Sequence, residues 1–233
     1  MALILNIETA TEVCSVSLAK DGKLISKKEN NEGKSHASLL TVFIEEIFKE
    51  TEFSISKLDA VAVSKGPGSY TGLRIGVSTA KGIAYAAEIP LISVSTLQAM
   101  AIGVSKNYKT VKNEKTLFCP MIDARRMEVY SAFYNTDNKI IKEISADIID
   151  GDSYRDFLLK NKLVFFGNGA SKCKEVISSE KAEFIDNVIC SSENMLELSE
   201  KAFNNSYFED VAYFEPFYLK NFVATIPVKN IFK

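Results

Sequence analysis

The chain has 233 residues, which is enough for one large domain or for two of about 100 residues each. Its 28 basic and 30 acidic residues nearly balance, at a sequence pI of about 5.7, so it lacks the basic field that autonomous nucleic-acid binding requires. It also shows no apolar run of about 18 residues and no basic leader, so neither a membrane span nor a secretion signal is predicted.

Strands and helices alternate in the structure predicted for the first part of the chain. Asp21-Gly22 favours a hairpin turn, and the apolar spacing after residue 38 predicts a helix with one broad apolar face. In chain order we predict strands at 3–7, 13–19 and 23–28, a helix ending near 52, a strand at 58–64, a helix at 71–88 and a strand at 91–94.

After a polar connection over 105–115 the pattern partly repeats. We predict strands at 117–122, 128–134 and 139–149, a short helix at 154–160, a strand at 163–166 and helices at 172–178 and 193–204. This repeat predicts an internally duplicated α/β protein. We place the amino-terminal lobe at 1–104 and the carboxyl-terminal lobe at 105–233, with the last helix able to pack back on the first lobe.

Two α/β units that each open with a three-strand meander are typical of the actin, Hsp70 and sugar-kinase (ASKHA) superfold. Four motifs sharpen this prediction, and together they resemble the TsaB (YeaZ) family over nearly the whole chain, most specifically over 64–88. They are Ile4-Leu-Asn-Ile-Glu-Thr-Ala-Thr11, Gly66-Pro-Gly-Ser-Tyr-Thr-Gly-Leu-Arg-Ile-Gly76, Asp123-Ala-Arg-Arg126 with Glu128-Val-Tyr130, and Pro216-Phe-Tyr-Leu219.

The resemblance implies a cytoplasmic, non-catalytic subunit of the bacterial machinery that makes tRNA threonylcarbamoyladenosine. Such a subunit binds and activates a TsaD-type catalytic subunit, recruits a TsaE-type ATPase and meets tRNA only through the complex. A homodimer through the same surface is an alternative. No cofactor is expected in this chain, and ATP or ADP at the complex interface is left open.

The glycine-rich loop over 66–72, called the glycine loop below, and two strand ends indicate a second class of function. Ser69 and Thr71 lie where a helix N-terminus binds anions, although the glycines equally serve a tight turn. Glu8 and Asp123 each stand at the end of a predicted strand. In ATP-using relatives of the superfold, a pair of carboxylates at these places holds metal-bound phosphates. The other interpretation is that both side chains cap turns. The alternative to an accessory subunit is therefore an ATP-binding or phosphotransfer enzyme.

Small residues recur every four positions in the helix after this loop, which places them on one face. Glycine in a helix interior costs roughly 0.5–1 kcal/mol relative to alanine, so the pattern predicts close approach of another helix. That helix is either the chain's own, ending near 52, or a partner's. The predicted partner interface comprises Gly72, Leu73, Gly76, Val77, Ala80 and Ala84.

The remaining chemistry-bearing residues argue against independent catalysis. His36 is the single histidine, which we expect to be solvated or capping, so no Ser-His-Asp or Cys-His arrangement and no peptidase is predicted. The positions that correspond to the two metal-binding histidines of TsaD carry Thr96 and Met100, so the resemblance implies no metal site. The scattered cysteines are predicted to be reduced core thiols; they are Cys14, Cys119, Cys173 and Cys190.

Overall fold

A computed structural model describes residues 2–33, 36–111 and 114–220. The first of its two sheets has the order β3-β2-β1-β4-β5. β1 pairs antiparallel with β2, β2 pairs antiparallel with β3, and β4 and β5 continue the sheet in parallel with β1. The elements of this part of the chain are β1 (Leu3–Glu8), β2 (Cys14–Lys20), β3 (Lys23–Asn30), α1 (His36–Thr51), β4 (Ala60–Gly66), α2 (Tyr70–Ala87) and β5 (Leu91–Ser95).

The second sheet repeats this arrangement with the order β10-β9-β6-β7-β8, again three antiparallel strands followed by two parallel ones. Its elements are β6 (Thr116–Asp123), β7 (Glu128–Tyr134), β8 (Ile140–Ile148), α4 (Arg155–Lys160), β9 (Lys162–Phe166) and β10 (Ala182–Ile185), while α3 (Thr96–Ser105) joins the two lobes. The predicted duplication is confirmed, and the architecture is that of the ASKHA superfold.

Helices cover both faces of the first sheet, whose central strand β1 is apolar except at Asn6 and Glu8. β1 is buried along its whole length. Leu5 and Val16 lie on the face that packs on α1 and α2, whereas Ile4 and Ile92 lie on the face that packs on α3. Alternate residues of a strand point to opposite faces, so the apolar residues of β1 require cover on both sides of the sheet.

The structure differs from the sequence prediction at three places. Helix α3 was not predicted, because its mixed small and apolar residues lie directly after β5 with no turn between them. The helix predicted at 172–178 is only a 3₁₀ turn over Ser171–Cys173. Strand β10 was missed because its four residues are all half-buried and carry no clear alternation.

The chain returns from the second lobe to the first before it ends. A 3₁₀ turn over Ser192–Met195 leads into α5 (Leu196–Asn204), which packs against β1 and β5. The hydroxyl groups of Ser15 and Ser192, both buried, lie 2.8 Å apart and fix this return. Further on, the amide of Glu209 donates to the carbonyl of Leu91 at 2.8 Å, so the carboxyl-terminal segment completes the first lobe.

All four cysteines are free and buried, as predicted. In the described part of the chain, no helix combines the length and apolarity needed to cross a bilayer.

Candidate functional site

The small-residue face of α2 packs inside the chain, against the connection between β1 and β2. The hydroxyl of Thr9 donates to the carbonyl of Gly72 at 2.8 Å. A Cβ atom at Gly72 would overlap the Thr9 carbonyl oxygen, and one at Gly76 would overlap the Thr9 hydroxyl. The glycines are therefore explained by the close approach of Thr9, which a larger residue would prevent.

The predicted interface residues lie on this inner face. All six are buried by other parts of the same chain: Gly72, Leu73, Gly76, Val77, Ala80 and Ala84. Val77, Ala80 and Ala84 belong to the core cluster that includes Leu5, Val16, Leu40 and Ile44. In this structure they pack against the chain's own core, and their contact with a partner stays a prediction.

The uncovered surface of α2 lies on its other side, beside α1. A groove of about 520 Å³ runs between the two helices, and its lining is mainly apolar. Its lining residues are Thr41, Ile44, Glu45, Phe48, Lys49, Phe53, Ser54, Ile55, Thr79 and Ile83. Sequence reasoning missed most of them, although the apolar residues outside the main stripe of α1, Val42 and Phe48, signalled that apolar surface would remain.

The glycine loop between β4 and α2 is a tight turn that caps a helix. Gly66 has φ +102°, which favours glycine, and a Cβ at Gly68 would overlap Ala10. The amide of Ser69 donates to the carbonyl of Ala10 at 2.6 Å, and its hydroxyl accepts from the amide of Gly72 at 3.3 Å. The structure thus supports the turn interpretation, while Ser69 and Thr71 remain exposed at the edge of the cleft between the lobes.

Glu8 is buried and does not line this cleft. Only 1% of its surface is exposed, and its carboxylate accepts a hydrogen bond from the amide of Ala10 at 2.7 Å. Burial raises the pKa of Glu8 to about 7, against the opposing effect of hydrogen bonds from Ala10 and the hydroxyl of Ser64. This arrangement matches the alternative in which Glu8 caps a turn, and a role of Glu8 in phosphate binding stays a prediction.

Asp123 does reach the cleft, but its carboxylate is already engaged. It forms an ion pair with Lys172 and accepts a hydrogen bond from the amide of Arg125 at 3.0 Å. The structure does not bring Glu8 and Asp123 together as a pair of metal ligands facing the cleft. No three His, Cys, Asp or Glu side chains converge on a metal position in residues 2–33, 36–111 and 114–220.

The three residues that bear on catalysis are all buried. His36, expected to be solvated or capping, is instead the buried first residue of α1, and its Nε2 donates to the carbonyl of Thr11 at 2.7 Å. Thr96 and Met100, at the positions compared with metal ligands, are buried in α3. This hydrogen bond gives His36 a structural role, because it ties the first residue of α1 to the connection between β1 and β2.

The chain is similar to known proteins over most of its length. A family model described as "TsaD: tRNA N6-adenosine threonylcarbamoyltransferase" matches residues 24–228. The tRNA threonylcarbamoyladenosine biosynthesis protein TsaB of Escherichia coli is 33% identical over 227 residues, covering 95% of this chain and 96% of that protein. TsaB of Bacillus subtilis is 29% identical over 179 residues, covering 75% and 74%.

A solved structure of YeaZ from Pseudomonas aeruginosa has the same fold, with a TM-score of 0.75 at 23% identity, covering 94% of this chain and 100% of that one. The sequence relatives and the matching fold lead to one assignment. This chain belongs to the TsaB family, whose members take part in the tRNA threonylcarbamoyladenosine modification and are related to TsaD.

Proposed function

We propose that this chain is a non-catalytic subunit that binds and activates a TsaD-type catalytic subunit, in a complex that also recruits a TsaE-type ATPase. The observation that carries the proposal is the apolar groove between α1 and α2, which the described chain leaves open. An open apolar groove with a polar edge is one form that a protein interaction site takes.

The occupant we propose is the pair of helices that a TsaD-type subunit carries at the equivalent place. The family model named for the transferase matches this chain from residue 24 to 228, a range that includes α1 and α2. A partner of the same fold would present two helices of similar length, and helices that pack side by side bury apolar stripes against each other. The Lys49–Glu45 ion pair at 2.5 Å supplies a polar edge to the groove.

The test replaces one exposed apolar residue in the groove. Ile55 is 42% exposed, so Ile55→Asp should leave the fold intact while it places a charge in the proposed interface. We expect at least a tenfold loss of affinity for a TsaD-type subunit, measured by co-purification and by the mass of the complex in solution. Unchanged affinity would contradict the proposed interface.

Ile148→Asp is the matched control. Ile148 is 76% exposed on β8 in the second lobe, outside the groove, so its replacement should leave the affinity unchanged. The same measurement on the isolated chain distinguishes a monomer from a homodimer. If Ile55→Asp dissolves a homodimer but leaves the complex with TsaD intact, the groove serves a second copy of this chain instead.

We also propose that ATP or ADP binds where this chain meets its partners, and that tRNA is reached within the complex. The engaged carboxylates of Glu8 and Asp123 support this placement of the nucleotide. Calorimetry of the isolated chain with magnesium and ATP should give no saturable heat. Micromolar binding that Asp123→Ala abolishes would favour the phosphotransfer alternative instead.

A further inference from the structure

The cleft between the two lobes is a second feature of the surface, separate from the apolar groove. It has a volume of about 1090 Å³. One wall is formed by the glycine loop and the first turn of α2, and the other by the turn between β6 and β7 together with Asn168. The carboxyl-terminal segment over 217–220 lies along its edge. The cleft is large enough for a nucleotide of an RNA strand.

The acidic residues of this cleft are each neutralised or hydrogen-bonded within the chain. Asp123 pairs with Lys172, and Glu128 pairs with Lys220. Glu12 accepts a hydrogen bond from the side-chain amide of Asn168 at 3.0 Å. Each of these three carboxylates thus already has a partner within the chain, and among the described residues no three such side chains converge on a metal position.

The arginines of the β6–β7 turn have no such partner. Arg125 and Arg126 are exposed and line the cleft, and their guanidinium groups form no ion pair or hydrogen bond with any residue that the structure describes. Both also hold left-handed backbone conformations, at φ +71° and +49°, where glycine or asparagine is the ordinary choice. Among the described residues, the cleft thus presents two positive charges without a partner, on a backbone conformation that arginine disfavours.

Aromatic rings lie on the opposite wall. The ring centroids of Tyr70 and Tyr218 are 5.0 Å apart, and the guanidinium of Arg74 lies 4.2 Å from the ring centroid of Tyr70. Arg74 also donates from Nε to the hydroxyl of Tyr218 at 3.2 Å, which holds the three side chains as one unit. Partly exposed rings facing cationic groups are what proteins use to stack unpaired RNA bases and hold the adjoining phosphates.

We propose that this cleft binds a single-stranded segment of tRNA without a metal ion, with Arg125 and Arg126 on the phosphodiesters and Tyr70 and Tyr218 beside a base. The inference rests on the proposed function, since it names a tRNA contact made by this chain within the complex. It also explains how a chain of formal net charge −2 takes part in RNA binding. A local pair of cations supplements whatever contacts the partner provides, so the isolated chain binds RNA weakly and with strong salt dependence.

The test removes the two charges without straining the turn. Glycine fits the left-handed conformation, so the double variant Arg125→Gly with Arg126→Gly should fold and keep its midpoint of thermal unfolding. The full chain is titrated into a labelled tRNA stem-loop, and fluorescence anisotropy is measured at several salt concentrations. We expect at least a tenfold loss of affinity, and a reduction of about 1.4 in the slope of log K against log salt, for two lost phosphate contacts.

The double variant Arg155→Gln with Lys160→Gln is the matched control. It removes two positive charges from α4, which does not line the cleft. Its affinity should stay within twofold of that of the unmodified chain. Equal losses in both double variants, or no loss in the turn variant, would overturn the proposal. Displacement of the RNA by an equimolar amount of magnesium-ATP or of a phosphopeptide would also overturn it, since the cleft would then take another ligand.

The turn variant also separates this inference from the proposed function. It lies outside the α1–α2 groove, so it should still bind the TsaD-type subunit with unchanged affinity. Loss of RNA binding with intact partner binding supports both statements. If the turn variant keeps both RNA binding and partner binding, the subunit role stands and the proposed RNA contact is wrong.

Discussion

The two lobes contain equivalent glycine loops that lead to different structures. Gly66 at the end of β4 has φ +102°, and Gly167 after β9 has φ +99°. Two residues later, a Cβ at Gly68 would overlap Ala10, and one at Gly169 would press on the backbone of Ile122 and Asp123. The first loop starts an 18-residue helix, whereas the second starts a three-residue 3₁₀ turn. The loop is therefore a property of the fold, and the length of the helix that begins after it distinguishes the two lobes.

The strand ends beside these loops differ in a second way. Glu8 ends β1 and is buried without a cation, whereas Asp123 ends β6, is exposed and pairs with Lys172. Desolvation raises the pKa of Glu8, whereas the carboxylate of Asp123 accepts a hydrogen bond from the amide of Arg125 beside its ion pair. Equivalent places in a duplicated fold thus give one buried carboxyl group whose pKa is raised and one exposed carboxyl group that lies in an ion pair.

The largest expected effect tests whether the two loops are under the same steric constraint. Gly68→Ala places a Cβ against the backbone of Ala10, and Gly169→Ala places one against the backbone of Ile122 and Asp123; backbone cannot move aside as a flexible side chain can. We expect each to lower the free energy of unfolding by about 3 kcal/mol or more, measured by urea titration. Gly151→Ala is the control, because nothing lies within 4 Å of its added Cβ and its stability should hardly change. A large loss at Gly68 alone would show that the loops are not equivalent.

The second prediction concerns the buried carboxyl group of Glu8, whose pKa is raised from 4.5 to about 7. The folded chain then binds more protons than the unfolded chain between these two values, so its stability falls as pH rises through this range. Glu8→Gln keeps an acceptor for the amide of Ala10 and removes the titration. At pH 8 we expect the variant to be more stable by about 2–3 kcal/mol, and at pH 4 nearly equal to the unmodified chain. Urea titrations at both pH values measure this, and an unchanged pH slope would contradict it.

The third prediction concerns the two faces of α2, the long helix that follows the glycine loop in the first lobe only. Gly82 lies in α2 but is exposed, and nothing lies within 4 Å of an added Cβ. Gly82→Ala should raise the free energy of unfolding by about 0.5–1 kcal/mol through helix propensity. Gly72→Ala, whose Cβ would overlap the Thr9 carbonyl oxygen, should lower it instead. The same sign for both variants would contradict the assignment of an inner and an outer face.

The smallest effect is expected at the exposed strand end. Asp123→Asn removes the ion pair with Lys172 but keeps an oxygen that can accept from the amide of Arg125. We expect a loss of about 0.5 kcal/mol at low salt, which 1 M salt should largely abolish because the pair is partly exposed. A loss that persists in high salt would show that the aspartate acts through its hydrogen bond instead.

The sequence predicts the duplicated architecture and most strands, because alternation and turn residues are local signals. It does not predict α3, whose helix follows β5 without a break, or the shortening of the helix at 172–178. The four-residue spacing of Gly72 and Gly76 correctly indicates that other atoms approach α2 closely, but it does not identify those atoms. That answer depends on Thr9, which is distant in sequence and meets α2 only in the fold. The burial of Glu8 and the left-handed Arg125 and Arg126 are likewise tertiary properties.

The return of the chain to the first lobe affects how the protein is made on the ribosome. Met195 and Leu198 cover the face of the first sheet that contains Ala2 and Ile4. The amino-terminal strands therefore leave the ribosome long before the residues that cover them. Until α5 emerges, this apolar sheet face is exposed and open to aggregation or to chaperones. A chain that stops before α5 would lack this cover for good, so the first lobe becomes a finished unit only late in its own synthesis.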